Sequence, residues 1–176
     1  FLAREQAIVG QLTEVLKVRS EELPERVFGL LGKLKEAERE IASMRQQQAL
    51  AAGGRLADSA ADVGGVSVVI HDVGEGTTPD DLRTLVLDVR ARLGAERPSV
   101  VAMTTVNAGK PVVVVATNEA ARGRGLKAGA LVRVAAAALG GGGGGKDDLA
   151  QGGGTDPSGT AASLVAVRDA VAHLAG

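Results

Sequence analysis

The sequence has no cysteine, tryptophan or tyrosine, and its only aromatic residues are Phe1 and Phe28. Without cysteine there is no disulfide framework, thiol nucleophile or thiolate-ligated zinc. With only His71 and His173, a three-histidine metal site is excluded as well. Base stacking on aromatic side chains is closed to everything after residue 28. The core must therefore be built from Val, Leu, Ile and Ala, which a 176-residue chain supplies in sufficient number, 45% of it being apolar. No run reaches the roughly 18 apolar residues of a membrane span, and the start Phe1-Leu2-Ala3-Arg4-Glu5 lacks a signal-peptide pattern. The expectation is a cytoplasmic piece of a longer protein.

Charge is balanced, with 20 basic and 21 acidic side chains, but it is unevenly spread. The first 52 residues carry eight of each sign, whereas Ala121 to Lys146 hold Arg122, Arg124, Lys127, Arg133 and Lys146 and no acid. This local basic footprint bears on polyanion binding more than the net charge of −1 does.

Residues 1–54 read as a helical arm. Val9, Leu12 and Leu16 recur at helical spacing, and a break follows near residues 20–24 with Ser20 as expected N-cap. Beyond it, Leu23, Val27, Leu30, Leu34, Ala37, Ile41 and Met44 alternate steps of four and three. With Val27, Leu34 and Ile41 at heptad position a, opposite charges pair at g and the following e, Lys33 with Glu38 and Glu40 with Arg45. The seam requires a partner: residues 4–18 folded back, the same helix of a second copy, or the chain's own globular part.

Gly53 and Gly54 are expected to open a linker into a globular domain at 55–176. There the pattern predicts strands at Val66–Val73, Val100–Val106 and Val112–Thr117, the last two joined as an antiparallel hairpin through Asn107 to Pro111. A helix capped at Thr78, with Pro79 at its first position, buries Leu82, Leu85, Val86, Val89 and Leu93 and stops at Gly94. A small-residue helix over about Lys127–Leu139 and a last helix capped by Asp156 or Thr160 complete an α/β domain, a mixed sheet with flanking helices.

Nine of the fifteen residues at 140–154 are glycine. A flexible linker is one reading. The other is a loop whose Cβ-free backbone lets N–H groups approach an anion or a sugar, with Lys146 adding charge and Gln151 a donor and an acceptor. On that reading, Val at Gly142 and Gly153 abolishes RNA binding and leaves the fold intact. The tract is neither a Walker A loop nor a dinucleotide fingerprint, since Gly145-Lys146-Asp147 lacks the Ser or Thr and no GxGxxG follows a strand. Arg122-Gly123-Arg124-Gly125 reads either as a nucleic-acid-binding segment or as an exposed turn, His71 as structural, and Asp147 with Asp148 as a solvated loop more than a Mg2+ site.

The order of these parts, with Gly140, Gly141, Gly142, Gly143, Gly144, Gly145, Lys146, Asp147, Asp148, Leu149, Ala150, Gln151, Gly152, Gly153 and Gly154 ahead of a final helix, resembles the C-terminal domain of bacterial alanyl-tRNA synthetases. Ser20 to Val27 also fits the helix preceding that domain. The globular half is similar to the DHH-associated domain of DHH phosphoesterases, although Gly or Lys stands where those domains often carry His. The resemblance implies a non-catalytic domain that holds the outer corner of tRNA, self-associates through its helical arm (Leu23 to Met44), and supports aminoacylation and editing by upstream domains. It implies no cofactor for this stretch, with ATP, Mg2+ and an editing-domain zinc belonging to the parent alanine–tRNA ligase. A phosphoesterase's nucleic-acid-binding domain and a mainly oligomerising element are the alternatives. If Arg122, Arg124, Lys127, Arg133 and Lys146 hold four or five phosphates, log K should fall with log salt at a slope of about −3 to −4.5.

Overall fold

A computed structural model describes residues 1–176. The chain divides into two compact units, Phe1–Gln48 and Ala49–Gly176.

In the first unit, helix α1 (Leu2–Leu16) ends on Lys17 in the left-handed conformation, and a single 3-10 turn, Ser20–Glu22, leads into the 36-residue helix α2 (Leu23–Asp58). The cap of the turn is Arg19 rather than Ser20, because the Arg19 backbone N–H donates to the Glu22 carboxylate at 3.0 Å. Helix α1 buries no residue, so the fold-back partner considered for the heptad seam is not formed. Val27, Leu34, Ile41 and Met44 are each more than two-fifths exposed. Gly53 and Gly54 are helical and not a linker. Gly53 is the one buried residue of α2, and a Cβ there would run into the Asp88 carboxylate.

The second unit is a six-stranded sheet in the order β1-β2-β3-β4-β6-β5. Its strands are β1 (Ala61–Val63), β2 (Val66–Glu75), β3 (Ser99–Asn107), β4 (Lys110–Thr117), β5 (Gly142–Gly145) and β6 (Leu149–Gly153). Only β2 and β3 run parallel, linked through helix α3 (Pro79–Leu93). The three expected strands, the β3–β4 hairpin, the Thr78 cap and the Gly94 stop are all present. Three further strands were not expected: β1 is only three residues long, β5 is all glycine, and β6 ends in two glycines, which lack the side chains that favour strands.

Alternation along the strands makes two cores. Val66, Val68, Val100, Ala102, Val113 and Val115 pack on helices α5 (Ala128–Ala138) and α6 (Thr160–Ala175). Val69, Val101, Met103, Val114 and Ala116 pack on α3, with Leu56 and Ala57 from the end of α2. The short helix α4 (Glu119–Gly123) is capped by Asn118, whose side chain accepts from Ala121 N–H. Asp156 accepts from both the hydroxyl and the N–H of Ser158, which holds its carboxyl below the usual carboxylate range. It thereby caps the turn Pro157–Gly159 ahead of α6.

Candidate nucleic-acid interface: a glycine hairpin

The glycine tract is neither a linker nor a loop. Its first members end α5: Gly140 takes φ +71°, its N–H donates to Ala137 C=O at 3.1 Å, and Gly141 N–H donates to Ala136 C=O at 3.0 Å. These paired bonds satisfy carbonyls that a helix end otherwise leaves open. Gly142 to Gly145 then form the edge strand β5, each residue paired with β6 from Gly153 back to Ala150.

The turn between the strands is fixed from three sides. Lys146 N–H donates to Leu149 C=O at 3.0 Å; Asp147 C=O accepts from the Thr117 hydroxyl at 2.7 Å and from Ala128 N–H at 2.8 Å. Asp148 C=O accepts from Thr117 N–H at 3.0 Å and from the Arg90 guanidinium at 3.1 Å. A hairpin tied to β4, α3 and α5 in this way is a preformed surface.

The two faces of the hairpin differ. On one side α5 lies directly on backbone: a Cβ at Gly152 would stand 2.9 Å from Ala136 Cβ and one at Gly129 in α5 3.3 Å from Gly145 O, while one at Gly143 would stand 2.7 Å from Gly152 Cα across the ladder. The run of small residues in α5 and the glycines of the hairpin are thus one feature, since each permits the close approach of the other. On the other side, Gly142 and Gly144 have nothing within 4 Å of an added Cβ. Gly144 stands opposite Gln151, and directly paired residues share a face, so two peptide planes lie bare beside the Gln151 side chain. The Lys146-to-Leu149 hydrogen bond also sets the ladder: alternation turns the Gly143 N–H and C=O outward, onto the free edge of the sheet.

A cleft of about 360 Å³ lies on the bare side, lined by Arg83, Gly144, Lys146, Asp148, Leu149 and Gln151. Arg83 donates to Gln151 Oε1 at 3.0 Å. Asp148 is paired with Arg90 at 3.7 Å, whereas neither Arg83 nor Lys146 has a carboxylate within 4.0 Å. The cleft is therefore cationic.

Of the five basic residues expected to surround the tract, only Lys146 lines this cleft. Arg122 donates to Thr117 C=O at 2.8 Å, and Arg124 to Gly64 C=O at 3.3 Å and Ala175 C=O at 3.4 Å. Lys127 pairs with Asp147 at 3.1 Å. Arg133 is exposed on α5, which covers the opposite side of the sheet. Lys146 and Gln151 do come together, and they do so with Arg83, which sequence reasoning missed. No local pattern marks Arg83: it stands 68 residues from its partner and meets it only through the order of the strands. Gly153 also departs from expectation, because a Cβ there would stand 2.9 Å from Pro111 O, so valine at this position strains the backbone. No three His, Cys, Asp or Glu side chains are grouped to hold a metal, and no helix is long and apolar enough to cross a membrane.

The chain is 56% identical to an alanine–tRNA ligase of Streptomyces avermitilis over 99% of its own length and 20% of that protein. It is 60% identical to the ligase of Kineococcus radiotolerans over 97% of its length and 19% of that one. It thus spans about a fifth of the curated relatives it matches. Among solved structures, the C-Ala domain of Aquifex aeolicus alanyl-tRNA synthetase superposes with a TM-score of 0.56 at 26% identity, covering 65% of this chain and 98% of that one. A DHH-domain structure described as a member of the s1p family of ribosomal proteins, 16% identical with a TM-score of 0.52, shares the fold. Residues 65–173, which include the sheet from β2 onward and the whole glycine hairpin, match the DHHA1 domain, and the chain belongs to that family.

Proposed function

We infer that the chain is a tRNA-binding, non-catalytic region of an alanine–tRNA ligase, with the bare face and free edge of the glycine hairpin as its RNA surface. The observation that carries this reading is the hairpin itself: a rigid, side-chain-free strip flanked by two unpaired cations, in a chain 56–60% identical to such ligases. A flat backbone strip with few reading groups suits recognition of shape and of phosphate and ribose more than of sequence. The partner is the outer corner of tRNA, and the ATP, Mg2+ and zinc chemistry of aminoacylation and editing belongs to other domains of the parent protein.

Salt dependence tests this reading. With Arg122, Arg124 and Lys127 held by other contacts and Arg133 on the far side, Arg83 and Lys146 are the cations that line the cleft without a carboxylate partner. Two neutralised phosphates give a slope of log K against log salt of about −1.4 to −1.8, shallower than composition alone implied. Titration of the chain with a folded tRNA transcript at several salt concentrations measures it. No binding at low salt, or a flat response, overturns the proposal.

A second role is supported by the arm. Leu34 and Ile41, at equivalent heptad positions, are 56% and 49% exposed on one helix, an apolar seam that a second copy would cover. Replacing both with glutamate keeps helix propensity and removes the seam. Sedimentation should show the native chain as an oligomer and the double variant as a monomer; a native chain that sediments as a monomer at micromolar concentration removes this role.

A further inference from the structure

We propose that Arg83 is an RNA-contacting and positioning residue of the hairpin cleft, fixing Gln151 as a donor so that the cleft accepts a phosphodiester of the bound RNA. The proposal rests on the RNA-binding reading above and adds to it a residue on α3, outside the glycine tract.

A guanidinium has five N–H donors and no acceptor. The atom of the Gln151 carboxamide facing Arg83 Nη2 at 3.0 Å is therefore its oxygen, which leaves the Gln151 NH2 group unused by this contact. A free glutamine side chain presents a donor or an acceptor with equal ease; this one is held with its acceptor occupied. Its neighbours in the cleft are the Lys146 ammonium, donor only, and the remaining N–H groups of Arg83. The carboxylate present, Asp148, is partly neutralised by Arg90. Side-chain donors and positive charge thus dominate one small volume, and its complement is an oxygen-rich anion. A nucleobase edge, which mixes donors and acceptors, is matched less well. Gly144 contributes by having no side chain: its bare peptide plane lets a sugar–phosphate chain lie against β5 within reach of Gln151.

Arg83 is exposed on α3, away from both cores, so its replacement should leave the fold unchanged. In the 176-residue chain, Arg83→Met should weaken binding of a folded tRNA transcript about tenfold and make the salt slope shallower by about 0.7–0.9, the loss of one phosphate contact. Arg83→Lys should restore the slope and only part of the affinity, because an ammonium lacks the second arm that holds Gln151. Gln151→Glu provides an independent arm: it keeps a partner for Arg83 but replaces the donor with an anion, and should cost at least tenfold in affinity with an unchanged thermal midpoint. Arg83→Met binding with native affinity and native slope, while the native chain binds normally, overturns the role of Arg83 and leaves the RNA-binding reading standing. A native chain that shows no salt-dependent binding overturns both.

Discussion

Asn118→Ala is expected to lower the stability of the chain by about 2–4 kcal/mol, a large part of the 5–15 kcal/mol typical of a domain. The side chain is 8% exposed and makes four hydrogen bonds. Its oxygen accepts from Ser99 N–H at 3.0 Å and Ala121 N–H at 2.9 Å; its nitrogen donates to Gly94 C=O at 3.1 Å and Arg97 C=O at 2.7 Å. One carboxamide thus ties the end of β4 to the start of β3, to the cap of α4 and to both ends of the α3–β3 connection. Truncation removes an N-cap worth about 1 kcal/mol and leaves the buried Ser99 N–H without a partner at about 1–3 kcal/mol, while the Gly94 and Arg97 carbonyls, on exposed residues, can turn to water. Asn118→Asp separates the two halves of the site, since it keeps both acceptor contacts and sets a carboxylate against two carbonyls. It should be no better than alanine at neutral pH. Urea unfolding of the three proteins is the measurement, and an alanine variant within 1 kcal/mol of the native chain contradicts this account. The adjacent Thr117 holds the Asp147–Asp148 turn through its hydroxyl and its N–H, so the Asn118 variants should also loosen the glycine hairpin.

Much of the fold is legible in the sequence because its signals are local. Thr78-Pro79-Asp80-Asp81 writes a helix start in four residues, and the valine-rich runs of β2, β3 and β4 sit at strand length between turns. Asn118 stands just past the expected strand Val112–Thr117 with no local signal of its role; its four partners lie up to 24 residues away and meet through tertiary packing. The glycine tract misled in the opposite direction. Glycine carries no period, so periodicity cannot separate a strand from a loop, and what makes β5 a strand is the backbone of β6 on one edge and the small-residue face of α5 above it. The scatter of the basic residues is hidden for a related reason: a count of charges does not reveal which of them are held elsewhere on the surface by backbone carbonyls, as Arg122 and Arg124 are, and which line the cleft, as Lys146 does. Gly53 shows the same limit at a helix, where a paired glycine reads as a linker until the Asp88 side chain is found packed against it.

The glycines of the hairpin should separate sharply under substitution, by face and by contact and not by position along the tract. Gly154→Ala is expected to cost about 3–5 kcal/mol, because its methyl would overlap the Leu139 carbonyl group and stand 2.8 Å from Leu139 Cβ, at the point where α5 ends and cannot retreat. Gly143→Ala, pressed at 2.7 Å against Gly152 Cα, should cost about 2–3 kcal/mol. Its neighbour Gly144, with open space around an added Cβ and no positive φ, should accept alanine with a gain of about 0.4–1 kcal/mol, through the reduced freedom of the unfolded chain. Valine at both Gly142 and Gly144 carries the contrast into function. A β-branched residue favours the strand, and both side chains start from positions with open space around Cβ, so the fold should persist with a thermal midpoint no lower than native. The same methyls occupy the strip on which a sugar–phosphate chain would lie, and affinity for a folded tRNA transcript should fall at least tenfold. A double-valine variant that folds and binds as tightly as the native chain would show that the bare face is not the RNA surface, and would return these two glycines to a purely structural role. Gly154→Ala with native stability would show instead that α5 and the hairpin are not locked together, and the rigidity on which the preformed surface depends would be lost with it.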